Sequence, residues 1–215
     1  MYDEQGRAAT QVLISHLCHE LVSPIGAVNN GVELLEESLG EGIEKEALDL
    51  IGESARLASS RLRFYRLAYG RAGAGADLQA TQAETALAEL IQAEARTTLT
   101  WRVARAAELA PGGYQLVLNL ALLGAQAMPR GGTLKVELAE PAGDGIAALR
   151  ITATGAGARV ADAVQAALAD ADTLPDHTSV HAWWCGALAR RLGVAVAVVS
   201  SVDPVGFAVQ LPGQT

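Results

Sequence analysis

The chain has 215 residues, enough for one large domain or two modest ones with a sizeable core. It carries 16 basic against 24 acidic residues, a net charge of −8, and no basic stripe long enough to track phosphates, which argues against a nucleic-acid partner. Half of the residues are hydrophobic but only 4% are aromatic, so the interior has to be built from Ala, Leu and Val at close range.

The first residues, MYDEQGRAAT, show no charged-then-apolar leader, and no apolar run approaches the roughly 18 residues of a membrane span. A cytoplasmic chain without a membrane segment is expected. From about Gln11 to Leu39 the residues Leu13, Leu17, Leu21, Pro24, Val28, Val32, Leu35 and Leu39 recur by threes and fours, the narrow stripe of a coiled-coil-like helix. LGEG (39–42) breaks the pattern, and Leu48, Ile51, Ala55, Ala58, Leu62, Tyr65 and Tyr69 set up a second helix. So short a break implies an antiparallel hairpin. Two long helices bury little by themselves, so a dimeric four-helix bundle is expected, with a hairpin folded back on its own second domain as the alternative.

GRAGAGAD (70–77) reads as a linker, dividing the chain into a hairpin domain, 1–72, and a second domain, 77–215. In the second domain the patterning predicts a helix over 81–94, a strand over 98–104 and a helix over 113–128. Strands over 133–140 and 146–153, helices over 158–169 and 180–192, and a hairpin of 194–200 with 205–211 complete it. The fold class is α+β: a helical hairpin followed by an α/β sandwich with a mixed sheet covered on one face. Cys18 and Cys185 lie far apart and suggest neither a disulfide framework nor a zinc ribbon.

The chemistry concentrates in SHLCHELVSPIG (15–26). With each helical residue turning about 100°, Leu21 and Pro24 fall within about 40° of Leu17, and His19 sits near 200°, facing solvent. His16 and His19 share a face with Cys18 and Glu20 nearby. The metalloprotease pattern fails, however, because Ser23 stands where a second histidine belongs, and zinc needs three or four convergent ligands. Pro24 removes a backbone donor and frees the carbonyl of Glu20 one turn past His19. Ser23 stacks beside His19, and Glu20 could hold one ring nitrogen while the other stays nucleophilic.

HELVSP resembles the H-box of two-component histidine kinases, H-[ED]-x-x-[ST]-P, matching at His19, Glu20, Ser23 and Pro24. The resemblance implies a phosphoryl group carried on His19, within a dimeric hairpin followed by a GHKL-type ATP-binding domain. QLVLNLALLGAQAMPRGGTLKV (115–136) is similar to the N-box helix and following strand of that domain, with Asn119 on its first asparagine. The second asparagine, used toward Mg²⁺, falls at Leu123. ITATGAGARV (151–160) resembles the D-x-G-x-G box, with Gly155 and Gly157 in place but the adenine-reading aspartate replaced by Ala153; a plain turn explains the GAG equally well. SVHAWWCGALARRLG (179–193) stands where a phosphate-cradling glycine-rich box is expected, and only Gly186 lies inside the helical stretch. Trp183 and Trp184 read as core.

A kinase-like dimer with a degenerate ATP domain resembles the ChpT family of histidine phosphotransferases from alphaproteobacterial cell-cycle phosphorelays. That resemblance spans the chain and includes RLRFYRLAYG (61–70). It implies a phosphotransferase without ATP-dependent kinase activity. His19 would take a phosphoryl group from a phospho-aspartate in the receiver domain of a hybrid histidine kinase and pass it to response regulators. No cofactor is expected on this chain, and the Mg²⁺ would come from the receiver. Neutral imidazole is the nucleophile, so transfer is expected to weaken below the ordinary histidine pKa of about 6.5.

Charge placement is consistent with docking at this end of the hairpin. Residues 33–53 hold eight acids and one base, whereas 54–76 hold five arginines and no acid, and an antiparallel return brings those arginines alongside His19. Cations favoured at a helix C-terminus are the alternative explanation. Expected receiver contacts are Ser15, His16, Gly26, Ala27, Arg61, Arg63, Phe64 and Arg66. Two other functions fit the same motif: a kinase-like module that only sequesters a regulator, and an active sensor kinase.

Overall fold

A computed structural model describes residues 4–37, 41–75, 78–94, 96–104, 108–140, 145–170 and 173–213. Two long helices, α1 (Glu4–Glu36) and α2 (Glu41–Ala68), form the antiparallel hairpin. The first starts seven residues before the apolar stripe does, and Leu39 of the expected stripe lies outside the described residues. Small side chains allow close approach: Ala9, Pro24 and Gly31 on α1 and Ala47, Ser54 and Ala58 on α2 are all buried. At Gly31 a Cβ would come within 2.6 Å of Ile51 Cγ1 and 3.1 Å of the Ala47 carbonyl, so any larger residue would push the helices apart.

Within one chain only part of the expected α2 stripe is covered. Leu48 and Leu62 are 58% and 54% exposed, while Phe64 and Ala68, one turn apart, are fully buried. Helix α2 packs on α1 and, toward its C-terminal end, on α4 and α5. The Leu48–Ala55–Leu62 stripe, at heptad spacing, is left facing outward.

Where the sequence suggests a linker, Arg71–Ala74 form one helical turn, α3, lying against α5. The second domain follows as α4 (Ala80–Glu94), β1 (Thr97–Val103), α5 (Gly113–Gln126), β2 (Gly132–Leu138), β3 (Ile146–Thr154), α6 (Asp162–Ala169), α7 (Val180–Arg191), β4 (Ala197–Ser200) and β5 (Val205–Pro212). The sheet order is β1-β2-β3-β5-β4, with β1 and β2 parallel and the other pairs antiparallel. A parallel pair needs a crossover, which α5 supplies. Along β2, Leu134, Val136 and Leu138 point into the core while Lys135 and Glu137 pair at 2.7 Å on the open face. The mixed, one-sided sheet expected from the patterning is therefore present. Helix α5 is buried from Gly113 to Gly124 and forms the centre of the core, with Ile151, Phe207 and Leu211 beneath it. Among the described residues no helix is long and apolar enough to cross a membrane.

The two halves are joined by polar contacts as well as by packing. The last carbonyls of α2 have no partner within their own helix, and α5 and α7 supply donors. Asn119 Nδ2 donates to the Ala68 carbonyl at 2.6 Å and to that of Gln115 at 2.8 Å, and Gln115 Nε2 donates to the Gly70 carbonyl at 3.1 Å. Trp184 Nε1 reaches the Ala68 carbonyl at 3.4 Å. Asn119 thus caps the hairpin, and Tyr69 sits between His181, edge-on at a centroid distance of 6.0 Å, and Trp184, tilted against it at 6.1 Å.

His181 lies inside this joint, its Nδ1 at 2.9 Å from Gln126 Oε1. Burial pushes the ring down to about 3, so it stays neutral in the folded protein where the unfolded chain titrates near 6.5. A depressed histidine gives stability that is present above the unfolded pKa and lost as pH falls toward the folded one. Between pH 7 and pH 5 this one group should remove about 2 kcal/mol of folding free energy. Urea unfolding of wild type and His181→Gln at both pH values checks this, since the variant should lack that part of the loss. Equal losses in both proteins would show that His181 is not the group responsible.

Candidate phosphotransfer site

Helix α1 continues through Pro24, which is buried and whose missing N–H leaves the Glu20 carbonyl without its helical partner. That carbonyl is taken by Arg61, which reaches across from α2: its Nη1 donates a short bond to Glu20 O. The same guanidinium sits 3.3 Å from Glu20 Oε2 and 3.2 Å from Glu94 Oε1 at the end of α4. Its side chain is only 15% exposed. One arginine therefore ties together α1, α2 and the second domain, directly beneath the residue that follows His19.

His19 itself is exposed, on the outward face expected from the stripe, with exposed Cys18 beside it and exposed Ser23 one turn on. Among the described residues, the charged partner of Glu20 is Arg61 rather than the imidazole, so the expected role of Glu20 in holding the ring is not what its contacts display. His16 is half-buried between α1 and the start of α7. Its pKa is lowered, first by burial, against the opposing pull of Glu20, with His19, His177 and Arg61 adding to the lowering. Among the described residues no group of three or more His, Cys, Asp or Glu is arranged to hold a metal ion.

The expected receiver contacts separate into three groups. Ser15, Arg63 and Arg66 are exposed; Gly26 and Ala27 are partly exposed, and a Cβ at Gly26 would meet nothing within 4 Å. Arg63 is paired with Glu89 at 2.8 Å across a groove of about 480 Å³ that Arg56 also lines. Phe64 is a correction: it is fully buried in the main core and edge-on to Tyr65 at 6.2 Å, so a docking receiver cannot touch it. Arg61 is a second correction, because its donors are turned inward to Glu20 and Glu94. A periodic count along α2 does not distinguish these, since α4, the helix that turns them inward, comes from a more distant part of the chain. Glu94 was missed for the same reason; nothing in its local sequence marks it.

The nucleotide-like boxes are filled in. Leu123 and Ala153, where the motif resemblance leads one to expect polar side chains, are 5% and 0% exposed. A Cβ at Gly124 would lie 3.0 Å from Leu134 and 3.3 Å from Ile151, so α5 lies directly on the sheet there. Gly155 and Gly157 form a turn: the Gly155 N–H donates to Asp203 Oδ1 at 3.2 Å, and Gly157 has φ +75. Its conformation and its packing on Gly131 account for the glycines. Leu123 and Ala153 therefore contribute apolar side chains to the core.

Residues 80–203 match the family described as the histidine phosphotransferase C-terminal domain, more than half of the chain. The chain belongs to this histidine phosphotransferase family. It is 44% identical to the Protein phosphotransferase ChpT of Brucella abortus (strain 2308) over 128 residues, which is 59% of this chain and 59% of that protein. A solved structure of a bacterial phosphotransferase superposes with a TM-score of 0.82 at 32% identity, covering 97% of this chain and 98% of the other. A blue-light activated histidine kinase of Erythrobacter litoralis superposes with a TM-score of 0.50 at 10% identity, covering 99% of this chain and 61% of that one, a likeness of fold alone.

Proposed function

We propose that the chain is a histidine phosphotransferase of a two-component phosphorelay, with His19 as the group that is phosphorylated. The observation that carries this reading is the exposed imidazole on a paired-helix stalk, one turn before a buried proline, in a member of this family. In the forward step a ring nitrogen of neutral His19 attacks the phosphorus of a receiver's phospho-aspartate in line. The N–P bond forms as the O–P bond breaks, and the aspartate leaves as a carboxylate. In the return step the aspartate of another receiver attacks and the imidazole leaves. Such transfers depend on positioning and charge neutralisation, and the receiver brings the Mg²⁺. Buried Leu123 and Ala153 support a reading without nucleotide or kinase activity. The exposed cations Arg63 and Arg66 suit the acidic site of a receiver. Incubation with a phosphorylated receiver domain, with and without ATP, tests the assignment: label should appear on the wild type independently of ATP.

The working unit in this reading is a homodimer in the cytoplasm. Ile14, Val22, Ile25 and Val32 on α1 and Leu48 and Leu62 on α2 are 41–67% exposed and run beside the hairpin seam, a stripe that a second copy would cover. Wild type is expected to sediment as two chains and Ile25→Glu as one, because two-fold symmetry sets the new charge against apolar surface from both sides. A wild type that sediments as a single chain would remove the dimer.

A further inference from the structure

We infer that Arg61 is a positioning residue for the His19 turn and not part of the receiver-docking surface. The inference rests on the phosphotransfer reading above. Pro24 leaves the carbonyl of Glu20 without its helical partner, and a carbonyl in that state is free to tilt and let the turn carrying His19 fluctuate. Arg61 occupies that carbonyl with Nη1 while Nη2 holds the carboxylate of the same residue at 3.3 Å. A planar guanidinium gripping backbone and side chain of one residue fixes both the position and the rotation of that segment, which a lysine's single ammonium cannot do. The grip extends to the second domain through Glu94 at 3.2 Å. The turn beside the phosphoacceptor is therefore held against α2 and α4 together, and Glu20 is kept compensated next to the site where an anionic phosphoryl group arrives.

The test uses the full chain as wild type, Arg61→Met, Arg61→Lys and Glu94→Gln, with a receiver domain loaded by radiolabelled acetyl phosphate that labels the wild type. Single-turnover transfer is measured against receiver concentration. For Arg61→Met the saturating rate should fall about tenfold to a hundredfold, the scale of a misaligned attack, with the half-saturating concentration unchanged. Arg61→Lys should recover part of the rate, and Glu94→Gln, which leaves the Glu20 grip intact, should keep most of it. A rise in half-saturating concentration at an unchanged saturating rate would make Arg61 a docking residue and overturn the inference. So would lower thermal stability with both kinetic constants unchanged. Backbone hydrogen exchange over residues 19–27 gives a readout independent of transfer: Arg61→Met should accelerate it there and not over the first half of α1, and uniform or absent acceleration would also overturn the inference. If no receiver labels the wild type, the phosphotransfer reading fails, and the exchange experiment still judges the grip.

Discussion

His19→Ala is expected to accept no label from a phosphorylated receiver while folding and assembling as the wild type does. The side chain is exposed on α1 and its contacts do not tie elements together, so its removal leaves the core intact; substitutions at exposed positions usually change stability by less than about 0.5 kcal/mol. The chemical effect is complete, because alanine has no nucleophile and the neighbouring candidates do not substitute for it. His16 is half-buried at the α7 joint and Cys18 lies on another face of the helix. The label on the wild type should be acid-labile, as expected for a phosphoramidate, and independent of ATP. The three functions compatible with the H-box give different results. An active kinase labels itself from ATP. A sequestering module carries no label but keeps its cellular effect in the variant. A phosphotransferase loses both. Persistent label on His19→Ala would remove the assignment.

Phe64→Ala is expected to be the most damaging single substitution for stability in the hairpin. The ring is fully buried where α2 meets α4, in one cluster with Leu87, Leu90 and Leu116, and its loss leaves a cavity in a close-packed joint. Phe→Ala in such places costs about 3–5 kcal/mol, out of a total of about 5–15 kcal/mol for a domain. For a chain of this size that lowers the melting temperature by about 6–20 °C. Phe64→Leu, which keeps most of the volume, should lose much less. Calorimetry checks both. An unchanged melting temperature with weaker receiver binding would instead restore the contact role that the neighbouring arginines suggest.

The outward placement of His19 was legible in the sequence because it depends on local geometry. The stripe Leu13–Leu17–Leu21–Pro24 defines a helix face within ten or so residues, and His19 lies opposite whatever that helix packs against. The effect of Pro24 on the Glu20 carbonyl is equally local, and the structure shows that carbonyl engaged by Arg61. The second domain was legible at the level of elements, because hydrophobic period two against period 3.6 separates its strands from its helices. The register of α2 was not. Leu48 and Leu62 have the spacing of a seam and face outward, while Phe64, in a run of arginines and tyrosines, faces the core. A periodic stripe shows that a helix has an apolar side but not how many neighbours share it.

What the amino-acid sequence determined by itself was therefore the long helix with His19 on its outer face, the carbonyl that Pro24 leaves unpaired within it, and the elements of the second domain. What only the tertiary structure decided was the use of the leftover polar groups. Asn119 and Gln115 cap the end of α2, and Arg61 grips Glu20 and Glu94. Each of these contacts joins residues at least thirty-three positions apart in the chain. The orientation of a donor across such a separation is set by how whole helices dock on one another, and no short-range pattern of residue types encodes it.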